Sequence, residues 1–283
     1  MKNKVITVIV LFLFAAGLLV FNYPVISTLY NQIHQGEVIA SYDESLERLW
    51  QEELDSYWEE AVEYNKKLAE TTPSLQDAFS TEKGEENQDY KNVLDMDETG
   101  VMGSIEIPDI NVYLPIYHGT SSDVLEQAVG HLEGSSVPVG GESTHCILTG
   151  HRGLPSAELF TNLDQVEEGD IFYIHILQRT LAYKVRSIEV IEPQNVDHLV
   201  IEKNKDLATL VTCTPYGINS HRLLIHGERT EFEEKSVVSA AKAEKQNLWK
   251  WLWSQKVFVV SVAIVILILL YGLFCVIRSI RRK

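Results

Sequence analysis

The chain is organised around the segment Ala208-Thr209-Leu210-Val211-Thr212-Cys213-Thr214-Pro215. Its apolar run with a β-branched bias predicts a buried strand, because such side chains suit a pleated, half-buried surface. A proline and a glycine then end the strand in a loop, and a second apolar run, Leu223-Leu224-Ile225, follows at hairpin distance. The pattern therefore predicts two adjacent strands, with Cys213 and Arg222 at the same end of the pair.

A thiol beside a permanent cation indicates a reactive cysteine, because the thiolate is the nucleophile and positive charge favours it. The alternative is that Cys213 is a buried core cysteine and Arg222 a surface charge, since free cysteines are among the most buried residues. This stretch taken alone leaves both interpretations open.

Two apolar segments near the ends of the chain predict membrane-spanning helices. Val5 to Phe21 is uncharged and no small-residue cleavage site follows it, which favours an uncleaved anchor over a signal peptide. Val257 to Ile277 would be about 32 Å long as a helix, close to the hydrocarbon thickness of a bilayer. Tryptophans precede it and basic residues follow it, which a buried core helix would not need.

The charges indicate an orientation and exclude some partners. Lysines precede the first span and basic residues follow the second, so the positive-inside rule places both termini in the cytoplasm and the segment between them outside. The chain has 40 acidic and 24 basic residues, a net charge of −16, which speaks against nucleic acid as a partner. This acidity suits a basic partner such as a lysine-presenting protein, and solubility alone also explains it.

The cysteines do not form a disulfide framework. Cys275 lies inside the second span, which leaves Cys146 and Cys213 for the exported segment. One bridge between these two is compatible with the sequence, but a domain with so few cysteines also has room for a free catalytic thiol.

The segment between the spans has a helical part and a β part. Apolar residues at gaps of three and four predict one helix over 41–70, with a capping box at Ser41-Tyr42-Asp43-Glu44. Residues 71–100 have no periodicity and predict a loop. From Val101 to Thr230, short alternating runs separated by turn residues predict an all-β barrel or sandwich.

Nine histidines are candidate partners for the thiol. His151 differs from the others because it follows the predicted strand Cys146-Ile147-Leu148 and is flanked by Gly150 and Gly153, which permit a tight turn. A base at one strand end facing a cysteine at another is the arrangement that thiol catalysis needs, although a structural histidine is the alternative. No phosphate loop, zinc pattern or calcium loop is present in the sequence, so no cofactor and no metal is predicted.

Three motifs together resemble the sortases, the cysteine transpeptidases of Gram-positive cell surfaces. The stretch Thr209 to Cys213 is similar to the TLxTC signature of that family, and Thr149-Gly150-His151-Arg152-Gly153-Leu154-Pro155 is similar to its histidine segment. Arg222, nine residues after the cysteine, falls where the family has its arginine. The two anchors and the long N-terminal extension resemble class C, the pilin polymerases, and the similarity runs from about Ser41 through Arg229 and includes the C-terminal span.

The resemblance implies a mainly β fold: an eight-stranded sortase β-barrel with an N-terminal helical and lid extension and two membrane-spanning helices. The boundaries expected are 1–22 for the signal or anchor segment, 38–100 for the helical extension and lid loop, 101–230 for the catalytic barrel, 231–256 for a juxtamembrane tether, 257–277 for the C-terminal span and 278–283 for a basic cytoplasmic tail.

The resemblance also implies a reaction. Cys213 would attack the Thr–Gly carbonyl of an LPxTG-like sorting signal on a pilin subunit and form a thioacyl enzyme. His151 would serve as general acid and then general base, and Arg222 would hold the substrate or stabilise the oxyanion. A lysine amine of another pilin subunit would accept the acyl group in an isopeptide bond.

Class C sortases often carry a lid whose motif is Asp-Pro-aromatic. Here Asp77-Ala78-Phe79 lies in the matching loop, with alanine in place of proline. As a lid, Asp77 would pair with Arg222 and Phe79 would cover Cys213. Without the proline the lid backbone is less pre-set, which leaves the degree of autoinhibition open.

Three other functions are compatible with parts of this sequence. A sortase could attach proteins to the cell wall, with a peptidoglycan-precursor amine as the acceptor. A hydrolytic cysteine peptidase would use water instead. A membrane-tethered scaffold would bind pilins without turnover, and it would keep its function after the substitution Cys213→Ala.

Overall fold

The computed structural model describes residues 2–71, 75–80, 87–232, 253 and 255–280 of the chain. The chain forms two compact units, Met1–Tyr30 with Glu234–Lys283, and Asn31–Glu233. The helices are α1 (Lys2–Phe21), α2 (Tyr23–Glu47), α3 (Gln51–Ala69), α4 (Gln88–Asn92), α5 (Ser122–Leu125) and α6 (Lys256–Ile280). The strands are β1 (Val101–Ile107), β2 (Val112–His118), β3 (Val129–His131), β4 (Thr144–Thr149), β5 (Ile171–Ile176), β6 (Arg179–Ile191), β7 (Asp206–Thr214) and β8 (His221–Thr230).

The first unit contains α1, the beginning of α2, and α6, so both apolar segments are helical. Within this unit, the hydroxyl of Ser261 donates a hydrogen bond of 2.8 Å to Oδ1 of Asn22, and both residues are buried. Over the described residues, no single helix is long and apolar enough to qualify as a membrane span; the segments Ile9–Phe21 and Tyr23–Glu47, bent by 51°, qualify as a pair by length and composition. The predicted tether lies mostly outside the described residues.

The second unit is built on a closed barrel of eight strands, which confirms the barrel that the sequence predicted. The strands follow the order β1-β2-β3-β4-β7-β8-β6-β5 around the barrel. The pairs β2–β3 and β4–β7 are parallel, and the other pairs are antiparallel. Apolar side chains from every second strand position form the main core, which includes Leu148, Phe172, Leu210 and Ile225. The core helps to fix the register of β7, since a slip by one residue would turn its apolar side chains outward.

The single helix predicted over 41–70 is wrong. The chain forms two helices there, separated at Arg48–Trp50, and Ser41 lies inside α2 rather than at a helix start. The cap lies at the beginning of α3 instead, where the backbone N–H of Trp50 donates to the carboxylate of Glu53 at 2.8 Å. Leu46 and Leu54 are buried on either side of the break. The apolar stripe therefore continues across the break, and its periodicity could not reveal the interruption.

The loop predicted over 71–100 is partly helical, because α4 lies within it. Tyr90 of α4 is buried, and its hydroxyl lies 2.9 Å from Nδ1 of His131 at the end of β3. Five residues are too few to show an amphipathic period, so tertiary contact rather than sequence pattern identifies this helix.

The barrel brings three strand ends to one edge. Cys213 of β7 lies directly opposite Arg222 of β8, which confirms the predicted hairpin. β7 also runs parallel to β4, with Val211 opposite Thr149. The chain leaves β4 beside the end of β7 and reaches His151 two residues later.

A second apolar cluster lies on the outer face of these strands. Side chains that alternate with the main core, Ile147, Val211 and Leu224, form its base. Ala78 packs against this base, together with Leu132, with Ile191 at the end of β6 and with Leu199 from the connection between β6 and β7. Cys213 and Arg222 have the same strand parity as Val211 and Leu224, so they lie on the same outer face.

Candidate active site

Cys213 is buried beneath its neighbours, with 6% of its surface exposed. Burial raises the pKa of its thiol because a thiolate is poorly solvated there; the cation of Arg222 lowers that pKa, and the carboxylate of Asp77 raises it. Burial and Asp77 therefore oppose ionisation in this state of the molecule, while Arg222 favours it. The thiol becomes a better nucleophile when the carboxylate moves away.

The loop that carries His151 is tied to β7 by backbone and side-chain hydrogen bonds. The N–H of Gly150 donates to the carbonyl of Val211 at 3.1 Å, and the hydroxyl of Thr212 donates to the carbonyl of Gly150 at 2.7 Å. A Cβ on Gly150 would lie 2.7 Å from the ring of Phe160, so only glycine allows this close packing. Gly153 adopts a φ of +78°, the left-handed conformation that its role in a tight turn requires.

The imidazole of His151 is half-buried. Burial lowers its pKa, the charge of Glu126 raises it, and the cation of Arg222 lowers it. A lowered pKa for the imidazole and a raised pKa for the thiol both favour a neutral pair at rest. In that case the proton of the thiol is transferred to a base only when the thiol attacks.

Arg222 is held by the segment that the sequence identified as a lid. Its Nε and Nη2 donate to the two oxygens of Asp77 at 2.8 and 2.6 Å, a bidentate pair. Its Nη1 donates to the carbonyls of Asn219 and His221 at 3.2 and 3.1 Å. The guanidinium therefore has all its nitrogens engaged in this state.

Phe79 lies against both His151 and Arg222. Its ring centroid lies 5.1 Å from that of His151, and the guanidinium carbon of Arg222 lies 5.0 Å from the same ring. The structure thus brings the three predicted catalytic residues and the two predicted lid residues into one site.

Cys146 belongs to the barrel interior instead. On β4, Cys146 lies opposite Ala208 of β7, and its side chain belongs to the main core. Cys213, in contrast, faces outward at the end of β7. Both cysteines are free, so the bridge that the sequence left open is not formed. Cys146 is packed in this core, and burial raises the pKa of its thiol well above its ordinary value.

Three of the other histidines are structural. His131 and His145 are buried and hydrogen-bonded, and burial lowers the pKa of each to about 4. His226 is buried as well, and its Nδ1 lies 2.8 Å from the hydroxyl of Thr209. Among the described residues, no group of three or more ligating side chains is placed to hold a metal ion.

Sequence reasoning missed residues that surround the three predicted catalytic side chains. Glu126, just after α5, raises the pKa of His151. Arg152 donates to Thr161, which follows the histidine loop, and to Thr214, which follows Cys213. Arg152 lay inside the quoted histidine segment, so its position was visible, but its partners were not.

Known proteins similar to this chain are sortases. A family model described as the sortase domain matches residues 105–230. The chain is 44% identical to sortase C of Streptococcus pneumoniae, with a TM-score of 0.63, over 69% of this chain and 97% of that one. For sortase C-1 from Actinomyces oris the values are 46% identity and a TM-score of 0.60, over 63% of this chain and 99% of that one.

A curated relative is more distant. Sortase D of Bacillus subtilis is 31% identical over 136 residues, which cover 47% of this chain and 66% of that protein. The chain matches 52% of the length of sortase A from Streptococcus agalactiae, at 28% identity.

The barrel and the outward-facing cysteine at the end of β7 place the molecule among the cysteine transpeptidases of the sortase fold. The chain belongs to the sortase family, and close structural neighbours are class C sortases.

Proposed function

We propose that this protein is a membrane-anchored class C sortase that polymerises pilin subunits. The observation that carries the proposal is the lid, in which Asp77 binds Arg222 and Phe79 lies against His151. The structural neighbours support it, since the structure of sortase C from Streptococcus pneumoniae is described as informing pilin substrate specificity. In this proposal, an LPxTG-like sorting signal is the acyl donor and a lysine of another pilin is the acceptor.

Catalysis begins when the lid leaves the site. Release of Asp77 frees the guanidinium of Arg222 and removes a negative charge that raises the pKa of the Cys213 thiol. Arg222 then takes up the sorting signal or the developing oxyanion, for which a positioned cation in a dry site is suited.

The acylation step exchanges a peptide bond for a thioester. The sulfur of Cys213 attacks the threonine carbonyl carbon as its proton passes to His151. The C–N bond to glycine breaks, and the imidazolium returns that proton to the leaving amine. The products are a thioacyl enzyme and the released C-terminal part of the pilin precursor.

The second step joins the two subunits. A neutral lysine amine of the acceptor pilin attacks the thioester carbonyl, and His151 removes a proton from the attacking nitrogen. The C–S bond breaks, an isopeptide bond forms, and protonation of the sulfur restores the thiol. The acidic composition of the chain suits a lysine-bearing acceptor.

We also propose that residues 1–22 and 257–277 anchor the enzyme, with the catalytic barrel over 101–230 outside the cell and both termini in the cytoplasm. The uncharged runs Val5 to Phe21 and Val257 to Ile277 and their helical conformation support this arrangement. Epitope tags at either terminus of the protein in intact cells should be protected from external protease. A tag inserted in the tether at 231–256 should be cleaved, and protection of that tag would contradict the proposed orientation.

The chemical proposal is tested with the full-length protein in detergent, an LPxTG peptide and either a lysine-bearing pilin or a peptidoglycan-precursor amine. We expect a thioacyl adduct by intact mass spectrometry, followed by a pilin-linked product, and neither with Cys213→Ala. A product with only the peptidoglycan-type amine would favour cell-wall attachment, and release of the free acid alone would favour hydrolysis. Unchanged pilin binding without an adduct would favour the scaffold.

A further inference from the structure

We propose that Arg152 is a positioning residue that holds His151 in place against Cys213, an inference that rests on the proposed function. Arg152 follows His151 directly, and its side chain is only 8% exposed. A buried guanidinium needs partners for its donors, and the identity of those partners shows what it connects.

Each nitrogen of Arg152 has a separate partner. Nε donates to the carbonyl of Thr161 at 3.1 Å, Nη1 donates to the hydroxyl of Thr214 at 3.4 Å, and Nη2 pairs with the carboxylate of Asp164. Thr161 and Asp164 belong to the segment that follows the histidine loop, whereas Thr214 is the residue after Cys213. The guanidinium therefore joins the histidine loop to the cysteine strand.

A second bond joins the same two elements on the other side of the catalytic pair. The hydroxyl of Thr212, the residue before Cys213, donates to the carbonyl of Gly150, the residue before His151. The residues that precede the two catalytic side chains are thus bonded to each other, and so are the residues that follow them. This pairing restricts sliding and rotation of the loop relative to the strand end.

Further contacts hold Arg152 itself. Its guanidinium carbon lies 5.8 Å from the ring centroid of Tyr216, in the loop between β7 and β8. A Cβ on Gly153 would lie 3.0 Å from the same ring, so the histidine loop packs closely beneath Tyr216. The carbonyl of His151 also accepts the N–H of Phe160 at 3.1 Å, which closes the loop on itself.

The two arginines of the site have different partners. Arg222 is bound to Asp77 of the lid, so it is released when the lid opens. The partners of Arg152 all lie outside the lid, so its contacts persist in the open state. Arg152 therefore acts on the geometry of the catalytic pair, and a displacement of about 1 Å in such a pair can reduce turnover on the order of 10²-fold.

The test compares Arg152→Gln with wild type in the transpeptidation assay on the full-length protein. We expect kcat to fall at least about tenfold, with KM within about twofold, because the substrate is still bound but His151 is misplaced. We also expect the acidic limb of the pH profile to move to higher pH, as an imidazole displaced towards solvent regains its ordinary pKa. Arg152→Lys keeps the charge but lacks the planar group that donates to three separate partners, so its kcat should lie between those of Arg152→Gln and wild type.

Arg179→Gln is the matched control. Arg179 also pairs with an aspartate, Asp55 at 2.9 Å, and lies over an aromatic ring, that of Trp58 at 4.2 Å. Arg179 is the first residue of β6, whereas Ile191 at the other end of β6 lies opposite Arg222. Arg179 is therefore remote from the candidate site. A general loss of stability would affect both variants alike, whereas the positioning role predicts a change in kcat and in the pH profile for Arg152→Gln alone.

Two further variants keep the proposal falsifiable if Arg152→Gln does not fold. Thr214→Val removes the hydroxyl that accepts from Arg152 and should lower kcat, whereas Thr214→Ser should stay closer to wild type. Asp164→Asn should give an intermediate loss. Folded variants with the kcat and pH profile of wild type would overturn the role of Arg152, while the absence of product from wild type itself would count against the proposed function instead.

Discussion

At the scale of single residues, the reactivity of Cys213 depends on opposing neighbours. Burial and the carboxylate of Asp77 raise the pKa of the thiol, and the guanidinium of Arg222 lowers it. The carboxylate therefore has two effects, since it occupies the arginine and also disfavours the thiolate. Removing its charge tests both effects without changing the size of the side chain.

We predict that Asp77→Asn increases the rate of alkylation of Cys213 by iodoacetamide at pH 7 by up to about tenfold, because removal of the carboxylate charge lowers the pKa of the thiol. The rate is measured at this residue by peptide mass spectrometry. Asp55→Asn, which removes an aspartate from another arginine pair, should leave the rate unchanged. An equal rate in wild type and Asp77→Asn would show that the lid carboxylate does not control the thiol.

Asn65 joins α3 to the connection between β3 and β4. It is 2% exposed, its Nδ2 donates to the carbonyl of Val137 at 2.9 Å, and its Oδ1 accepts the N–H of Val137 at 2.8 Å. We predict that Asn65→Ala lowers the free energy of unfolding by about 2–4 kcal/mol, because both buried groups of Val137 lose their partner. Urea unfolding measures this loss, and the exposed substitution Gln51→Ala should cost less than about 0.5 kcal/mol.

The sequence predicted the positions of Cys213, His151 and Arg222 better than it predicted the contacts that hold them. A cysteine at a strand end, a histidine after another strand and an arginine on the paired strand follow from local patterns. The bond from Thr212 to Gly150 and that from Arg152 to Thr214 each join residues 62 positions apart. Contacts at such separation depend on the parallel pairing of β4 with β7, which no local pattern indicates.

At the scale of elements, the lid is a turn that lacks a common turn residue. The N–H of Ser80 donates to the carbonyl of Asp77 at 2.9 Å, which places Ala78 and Phe79 at the two central positions. Proline is favoured at the first of these positions because its fixed φ suits the turn. Ala78 is buried in the outer apolar cluster, so the turn packs the predicted lid on the strands beside Cys213.

We predict that Ala78→Pro strengthens the closed lid by about 0.4–1 kcal/mol, because it reduces the freedom of the open segment. Alkylation of Cys213 should then slow about two- to fivefold in the iodoacetamide assay. The double variant Asp77→Asn with Ala78→Pro should lose most of this slowing, since the pair with Arg222 is absent. Faster alkylation in Ala78→Pro would mean that the proline ring does not fit against Val211 and Leu224.

Hydrophobic periodicity predicted the bounds of the helices less well than turn residues predicted the bounds of the strands. The strands predicted at Cys146 to Leu148, before Cys213 and at Leu223 to Ile225 agree with the structure because turn residues mark their ends, whereas the sequence did not predict β3. The break at Arg48–Trp50 has no glycine or proline to mark it, and α4 forms through the contact of Tyr90 with the barrel. Breaks and short helices of this kind are fixed by tertiary packing.

At the scale of the whole molecule, buried histidines connect the barrel to the segments around it. His131 contacts the hydroxyl of Tyr90 and the carbonyl of Ser136, at 2.9 and 2.8 Å. His145 contacts the carbonyl of Val200 and the hydroxyl of Thr209, at 2.8 and 2.7 Å. These contacts link α4 and the connection before β7 to the strands, and protonation of either ring disturbs them.

The stability of the barrel should therefore depend on pH in a defined window. Burial lowers the pKa of His131 and of His145 from 6.5 to about 4, so between these values the unfolded chain binds more protons than the folded one. The stabilisation is complete above pH 6.5 and is lost as the pH falls towards 4, by about 3 kcal/mol for each histidine. Thermal unfolding from pH 8 to pH 4 should show this loss, and His145→Gln should flatten the curve, because its side chain does not titrate. A curve for His145→Gln as steep as that of wild type would show that His145 is not buried neutral in the folded protein.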